Sequence, residues 1–116
     1  MAGYKTVNLE QGLPTSDQAI RRLTREIAAA KRLQYTGLKL IHGYGSSGKG
    51  GRIRTACRKY LEQAQRDGFI VCYIKGESFS IFDEVTRQYL NTYPLLRQDR
   101  DLDRENRGVT FVFLKH

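Results

Sequence analysis

Lys39-Leu40-Ile41-His42-Gly43-Tyr44-Gly45-Ser46-Ser47-Gly48-Lys49-Gly50-Gly51-Arg52 reads as a buried strand that runs into a basic helix. The apolar run ends at His42, and the nine residues after it hold five glycines and one lysine. Glycines at such a junction let backbone N–H groups approach an anion without Cβ interference, and the N-terminus of the following helix favours negative charge. The anion this implies is a phosphate, belonging either to a nucleotide or to a nucleic-acid backbone.

Upstream, Tyr4 to Leu9 alternates as a short strand, with Tyr4, Thr6 and Asn8 on one side and Val7 and Leu9 on the other. Gly12-Leu13-Pro14 makes a turn, and Thr15 or Ser16 caps a helix that begins at Asp17. Ala19, Ile20, Leu23, Ile27 and Ala30 follow the helical period until Gly37 punctuates the segment, and Leu38 to His42 is the second strand. Downstream, Arg52 to Gln65 is a second helix with Ile53, Ala56, Tyr60, Leu61 and Ala64 inward, closed by Asp67-Gly68. Phe69 to Ile74 predicts a third strand buried on both faces. Phe82 to Asn91 predicts a third helix with Phe82, Val85 and Tyr89 on one side and Pro94 just beyond it, and Val109 to Leu114 is the last strand.

The order strand, helix, strand, helix, strand, inserted helix, strand makes an α/β fold: a two-layer sandwich in which helices pack on a mixed four-stranded sheet. A length of 116 residues suits a single domain over 1–116, with 77–107 as an insertion before the last strand. Within it, Asp99, Asp101 and Asp103 have calcium-loop spacing, but Arg104 stands where that loop needs glycine and Thr110 where it needs glutamate. This stretch is expected to be a solvated loop. No window approaches a membrane span, and no signal-peptide apolar region precedes the first strand. Cys57 and Cys72 fit neither a zinc knuckle nor a redox pair and are expected to be reduced thiols in a cytoplasmic protein. The net charge of +8 favours polyanions, and Lys49, Arg52, Arg54, Arg58 and Lys59 cluster in or just after the glycine loop.

Three patterns claim the loop. Gly43-Tyr44-Gly45-Ser46-Ser47-Gly48 satisfies a dinucleotide fingerprint, but the acidic partner, Glu77, lies 29 residues past Gly48 rather than the expected ~20. The chain also has too few strands for that fold. Gly43 to Lys49 matches seven positions of a P-loop, but Gly50 removes the hydroxyl that ligates magnesium, and strand three ends without an aspartate. The third reading is a clamp on a nucleic-acid backbone. Lys49, Arg52 and Arg54 supply charge, Tyr44 stacks on a base or sugar, and His42 donates to phosphate or shuttles a proton.

Ile41-His42-Gly43-Tyr44-Gly45, the glycine-rich turn after it, and Ile53-Arg54 opening a helix resemble the HGxG segment of the small MutS-related (Smr) domain family. The opening Val7-x-Leu9 strand with Ala19, the pattern of Arg54 with Tyr60-Leu61, and the closing Gly108-Val109-Thr110-Phe111-Val112-Phe113-Leu114 agree. The likeness spans roughly Tyr4 to Leu114. It implies a two-layer α/β domain related to the C-terminal domain of a bacterial translation initiation factor, and DNA or RNA binding, often with endonuclease or nicking activity. By position it puts His42, Gly43 and Gly45 in the nucleic-acid-binding loop and Arg54 on the helix supporting it.

The family's first strand commonly carries Leu-Asp-Leu-His, where this chain has Val7-Asn8-Leu9-Glu10. Asn8 cannot take a proton, whereas Glu10 puts a carboxylate in the histidine's place. The resulting expectation is phosphodiester cleavage in DNA repair, recombination or RNA processing. His42 is then phosphate contact or general acid and Glu10 is base or ligand to a magnesium ion. The binding set is His42, Gly43, Tyr44, Gly45, Ser46, Ser47, Gly48, Lys49, Arg52, Arg54 and Arg58. The alternatives are a non-catalytic module that recruits a protein partner through 77–107, and, third, a nucleotide-binding enzyme.

Overall fold

The computed structural model describes residues 3–44 and 49–115, without the side chains of residues 49 and 50. Along the chain run β1 (Tyr4–Asn8), α1 (Ser16–Arg32), β2 (Gly37–Ile41), α2 (Lys49–Arg66), β3 (Cys72–Lys75), α3 (Glu84–Thr92) and β4 (Val109–Phe113). Short 3-10 turns occupy Gly76–Ser78 and Pro94–Gln98. The sheet order is β1-β2-β4-β3, with β1 parallel to β2 and β4 antiparallel to both of its neighbours. One edge of the sheet therefore gathers the C-terminal ends of β1, β2 and β3, the start of β4, and the first turn of α2.

On one face, α1 and α2 pack side by side over Val7, Leu38, Leu40 and Val112, as the expected α/β fold with helices on a mixed four-stranded sheet. Thr15 starts α1 with a reciprocal cap: its Oγ1 accepts from the Gln18 amide, and its own amide donates to Gln18 Oε1. Such a cap stabilises a helix by about 1 kcal/mol. Ala19, Leu23, Ile27 and Ala30 are buried, as the periodicity predicts. Gly37 does not end this helix. Gln34 does, in the left-handed region at φ 64, while Gly37 lies in β2, where a Cβ would collide with the Val112 carbonyl oxygen.

The other face is covered by the 77–107 segment. Phe79 stacks on Phe111 with ring centroids 4.1 Å apart, and Tyr89 stacks on Phe113 at 3.9 Å. Leu90 and Leu96 complete this second core. With apolar layers on both sides, every residue of β4 is buried.

Two elements differ from the sequence reading. The third strand is Cys72–Lys75 at the sheet edge, with Cys72, Tyr73 and Lys75 only partly covered or exposed. The amides of Phe69 and Ile70 instead donate to the Ala64 carbonyl and close α2. The third helix starts later than expected because Asp83 caps it, accepting from the Thr86 amide at 2.9 Å. Its buried face is Thr86, Tyr89 and Leu90, so Phe82 is 85% exposed and Val85 is also exposed.

The expected solvated loop at 98–107 is anchored from beneath. Lys39, buried in β2, donates to Asp99 Oδ1 at 2.9 Å and pairs with Asp101 Oδ2 at 2.6 Å. The Tyr4 hydroxyl donates to Asp99, and Asn106 Nδ2 donates to Asp101 Oδ1 at 2.9 Å. A lysine inside a strand read as buried needed a carboxylate partner, and the alternating aspartates of this loop supply it.

Candidate nucleic-acid interface

Strand pairing places Glu10, His42, Gly43, Tyr44, Gly108 and Thr110 together at the gathered edge. Beyond β1, the Glu10 amide donates to Asn8 Oδ1 at 2.9 Å and its carboxylate lies against the Cα of Gly43. A Cβ at position 43 would collide with that carboxylate, and Gly43 has φ +69. The positive φ is what demands glycine, since the end of the Glu10 side chain can give way. The Gly43 amide does not point to a ligand: with the His42 amide it donates to the Gly108 carbonyl, at 3.1 and 2.9 Å. The first glycine is therefore a structural pivot.

His42 is fully buried, and both ring nitrogens are engaged. Nδ1 stands 2.7 Å from the Gly43 carbonyl, which can only accept, so Nδ1 carries the proton. Nε2 then accepts from the Thr110 hydroxyl at 2.7 Å, and Thr110 Oγ1 accepts in turn from Arg58 Nε at 3.3 Å. The chain of donors is complete only for a neutral ring. Burial drives the His42 pKa down to about 4; the Gly43 carbonyl opposes this, and the Arg58 and Arg54 guanidiniums add to it. At neutral pH the ring is uncharged. In this arrangement it has no exposed N–H for a phosphate and no proton to give, which departs from the expected role of phosphate contact or general acid.

Arg58 is likewise committed. Its Nη1 and Nη2 donate to the two Glu77 carboxylate oxygens at 2.8 and 2.7 Å, and Nη2 also reaches the Val109 carbonyl. Burial pushes the Glu77 pKa up, but the Arg58 hydrogen bonds outweigh it and the net shift is downward. Arg58 thus ties α2 to the start of the 77–107 segment rather than offering a free cation. The same pair uses up Glu77, the acid a dinucleotide fingerprint would have needed.

Arg54 lies one turn earlier on the same face of α2, half-buried and close enough to His42 to depress its pKa. It has no hydrogen-bond or ion-pair partner among the described residues. Arg52 is exposed and lines a small cleft of about 170 Å³ with Pro14, Thr15 and Ser16 at the start of α1. Tyr44 is 59% exposed. Gly45, Ser46, Ser47 and Gly48, and the Lys49 side chain, lie outside the described residues. Thr110 was missed by sequence reasoning. Its signal was a hydroxyl inside an otherwise apolar buried strand, which must find a partner.

No group of three His, Cys, Asp or Glu side chains among the described residues could hold a metal ion. Glu10 is the carboxylate beside the loop that no described cation pairs. No helix among the described residues is long and apolar enough to cross a membrane.

The crystal structure of the Smr domain of Thermus thermophilus MutS2 has the same fold, with a TM-score of 0.59 and 22% identity over 97% of this chain and 99% of that one. A comparison with curated protein sequences finds no match. The family model of the Smr domain matches residues 11–115. The chain belongs to the Smr (small MutS-related) domain family, domains of the nucleic-acid-binding and nicking-endonuclease type.

Proposed function

We propose that the gathered sheet edge grips the sugar–phosphate backbone of DNA or RNA, and that the domain nicks it in repair, recombination or RNA processing. Arg54 carries this reading: a half-buried cation without a described partner, placed beside the loop by an (i, i+4) relation to the fully paired Arg58. Arg52 extends the positive rim along the first turn of α2, whose amides favour phosphate. The free thiols Cys57 and Cys72 fit a reducing, cytoplasmic setting.

His42 acts from behind the loop as a positioning residue, holding the Gly43 carbonyl through Nδ1–H, with Thr110 and Arg58 fixing the ring. The hydrolytic step falls to Glu10, which takes the proton of the attacking water directly or holds magnesium at the phosphate. The test is supercoiled plasmid and structured RNA with and without magnesium. Glu10→Gln is expected to abolish nicking while leaving the binding constant within a factor of two or so, since the charge lost is not one that attracts phosphate. Unchanged nicking by Glu10→Gln would remove this residue from the chemistry.

A second reading, binding without turnover, is favoured by the exposed Ile81, Phe82 and Val85 at the tip of the 77–107 segment. Apolar side chains gathered there suit a protein partner. It predicts salt-sensitive binding and no cut product under any condition.

A further inference from the structure

The 99–107 loop has features that a backbone grip does not use. Two of its non-glycine residues are left-handed, Asp103 at φ 63 and Glu105 at φ 53. Such conformations cost about 1 kcal/mol or more each and persist where the surroundings fix them. Here Lys39 holds Asp99 and Asp101, and the Asp103 amide donates to the Phe79 carbonyl at 2.9 Å. Asp103 Oδ1 also accepts from the Ile81 amide at 2.9 Å, and Asn106 Oδ1 accepts from the Gly108 amide at 2.8 Å. Held from within, the loop turns Arg104, Glu105 and Arg107 outward. All three are exposed and have no hydrogen-bond or ion-pair partner among the described residues.

Tyr44 faces them. Its ring approaches Gly108, where a Cβ would come to 3.4 Å from Tyr44 Cδ1. Tyr44, Asp101, Arg104, Glu105, Asn106 and Arg107 line an open pocket of about 500 Å³, and of these Asp101 and Asn106 are spent on the internal network. What remains available is one aromatic face, two cations and one carboxylate. A flat π-system with an anion attached matches that set: the base stacks on Tyr44, its phosphate meets the arginines, and Glu105 accepts from a base N–H or amino group. A duplex keeps its base faces stacked inside and cannot offer one there.

We propose that this pocket receives one unpaired nucleotide of the bound strand, with the base on Tyr44 and the flanking phosphates on Arg104 and Arg107. This rests on the backbone-grip reading above and names its substrate class, a strand with an unpaired base beside the loop. Fluorescence anisotropy at fixed salt, with a short single strand, a blunt duplex of the same sequence and an abasic strand of the same length, tests it. Tyr44→Ala is expected to weaken single-strand binding by roughly 5- to 100-fold, the range of one lost stacking contact. It should weaken the duplex and the abasic strand much less, and Tyr44→Phe should retain the wild-type preference. Arg54→Ala weakens all three probes, because it reports the grip and not the pocket. If Tyr44→Ala leaves the single strand unchanged, or weakens the duplex equally, while Arg54→Ala still acts, the pocket is overturned and the grip stands. Binding of no probe by the wild type overturns both. Mononucleotides are expected not to displace the strand at equal concentration, and displacement by them would overturn the assignment to a polymer.

Discussion

Replacing Thr110 by valine keeps the shape of the side chain and removes the hydroxyl that serves both His42 Nε2 and Arg58 Nε. Two buried groups then lose a partner, a loss of about 1–3 kcal/mol in unfolding free energy, and the melting temperature should fall accordingly. His42 adds a pH dependence of known sign. Its folded pKa, about 4, lies below its unfolded value of 6.5, so the unfolded chain binds the extra proton. The stability linked to the neutral ring is complete above pH 6.5 and is lost as pH falls towards 4. It amounts to at most about 3 kcal/mol by the linkage relation. Denaturant titrations at pH 7 and pH 5 should show that loss in the wild type and a flatter profile in His42→Asn. Glu77 and Asp101, both shifted downward, add their own loss only at lower pH, as they begin to protonate. A wild-type stability that is level between pH 7 and 5 would contradict the buried neutral histidine.

Among the elements, the Lys39 anchor holds the 99–107 end of the 77–107 segment on the sheet. Lys39→Ala leaves two buried carboxylates facing each other without their cation, a change that costs about 3–5 kcal/mol in comparable buried pairs. Hydrogen exchange should show protection lost first over residues 99–107, with α1 and α2 less affected. The triple replacement Lys39→Met, Asp99→Asn, Asp101→Asn should recover much of the stability, because no uncompensated charge remains. Elements with a one-sided periodicity were legible in the sequence: α1 from Thr15 and its apolar stripe, β4 from its unbroken apolar run. Those decided by long-range partners were not. Phe82 and Val85 looked inward, but Asp83 caps the helix after Phe82, and the face that α3 buries, Thr86, Tyr89 and Leu90, turns Val85 out. The 98–107 stretch looked solvated because its partner, Lys39, lies 60 residues away. In the candidate site the cations and glycines were visible as letters. Which of them are spent internally was not, since Arg58's partners Glu77 and Thr110 and Gly43's partner Gly108 all arrive from other strands or turns.

The whole molecule carries a net charge of +8, yet its cations divide into two kinds. Lys39 and Arg58 are locked into ion pairs within the fold. Arg52 and Arg54 remain at the edge where the loop, the first turn of α2 and the strand ends meet. Each cation that neutralises a phosphate releases counterions, so it contributes about 0.7–0.9 to the slope of log K against log salt. The most direct test is that slope, measured by fluorescence anisotropy on one labelled oligonucleotide for the wild type and for Arg54→Ala, with melting temperatures confirming that both are folded. The predicted result is weaker binding by Arg54→Ala together with a slope shallower by about 0.7–0.9. Identical affinity and slope in the two proteins would contradict a backbone grip at this edge.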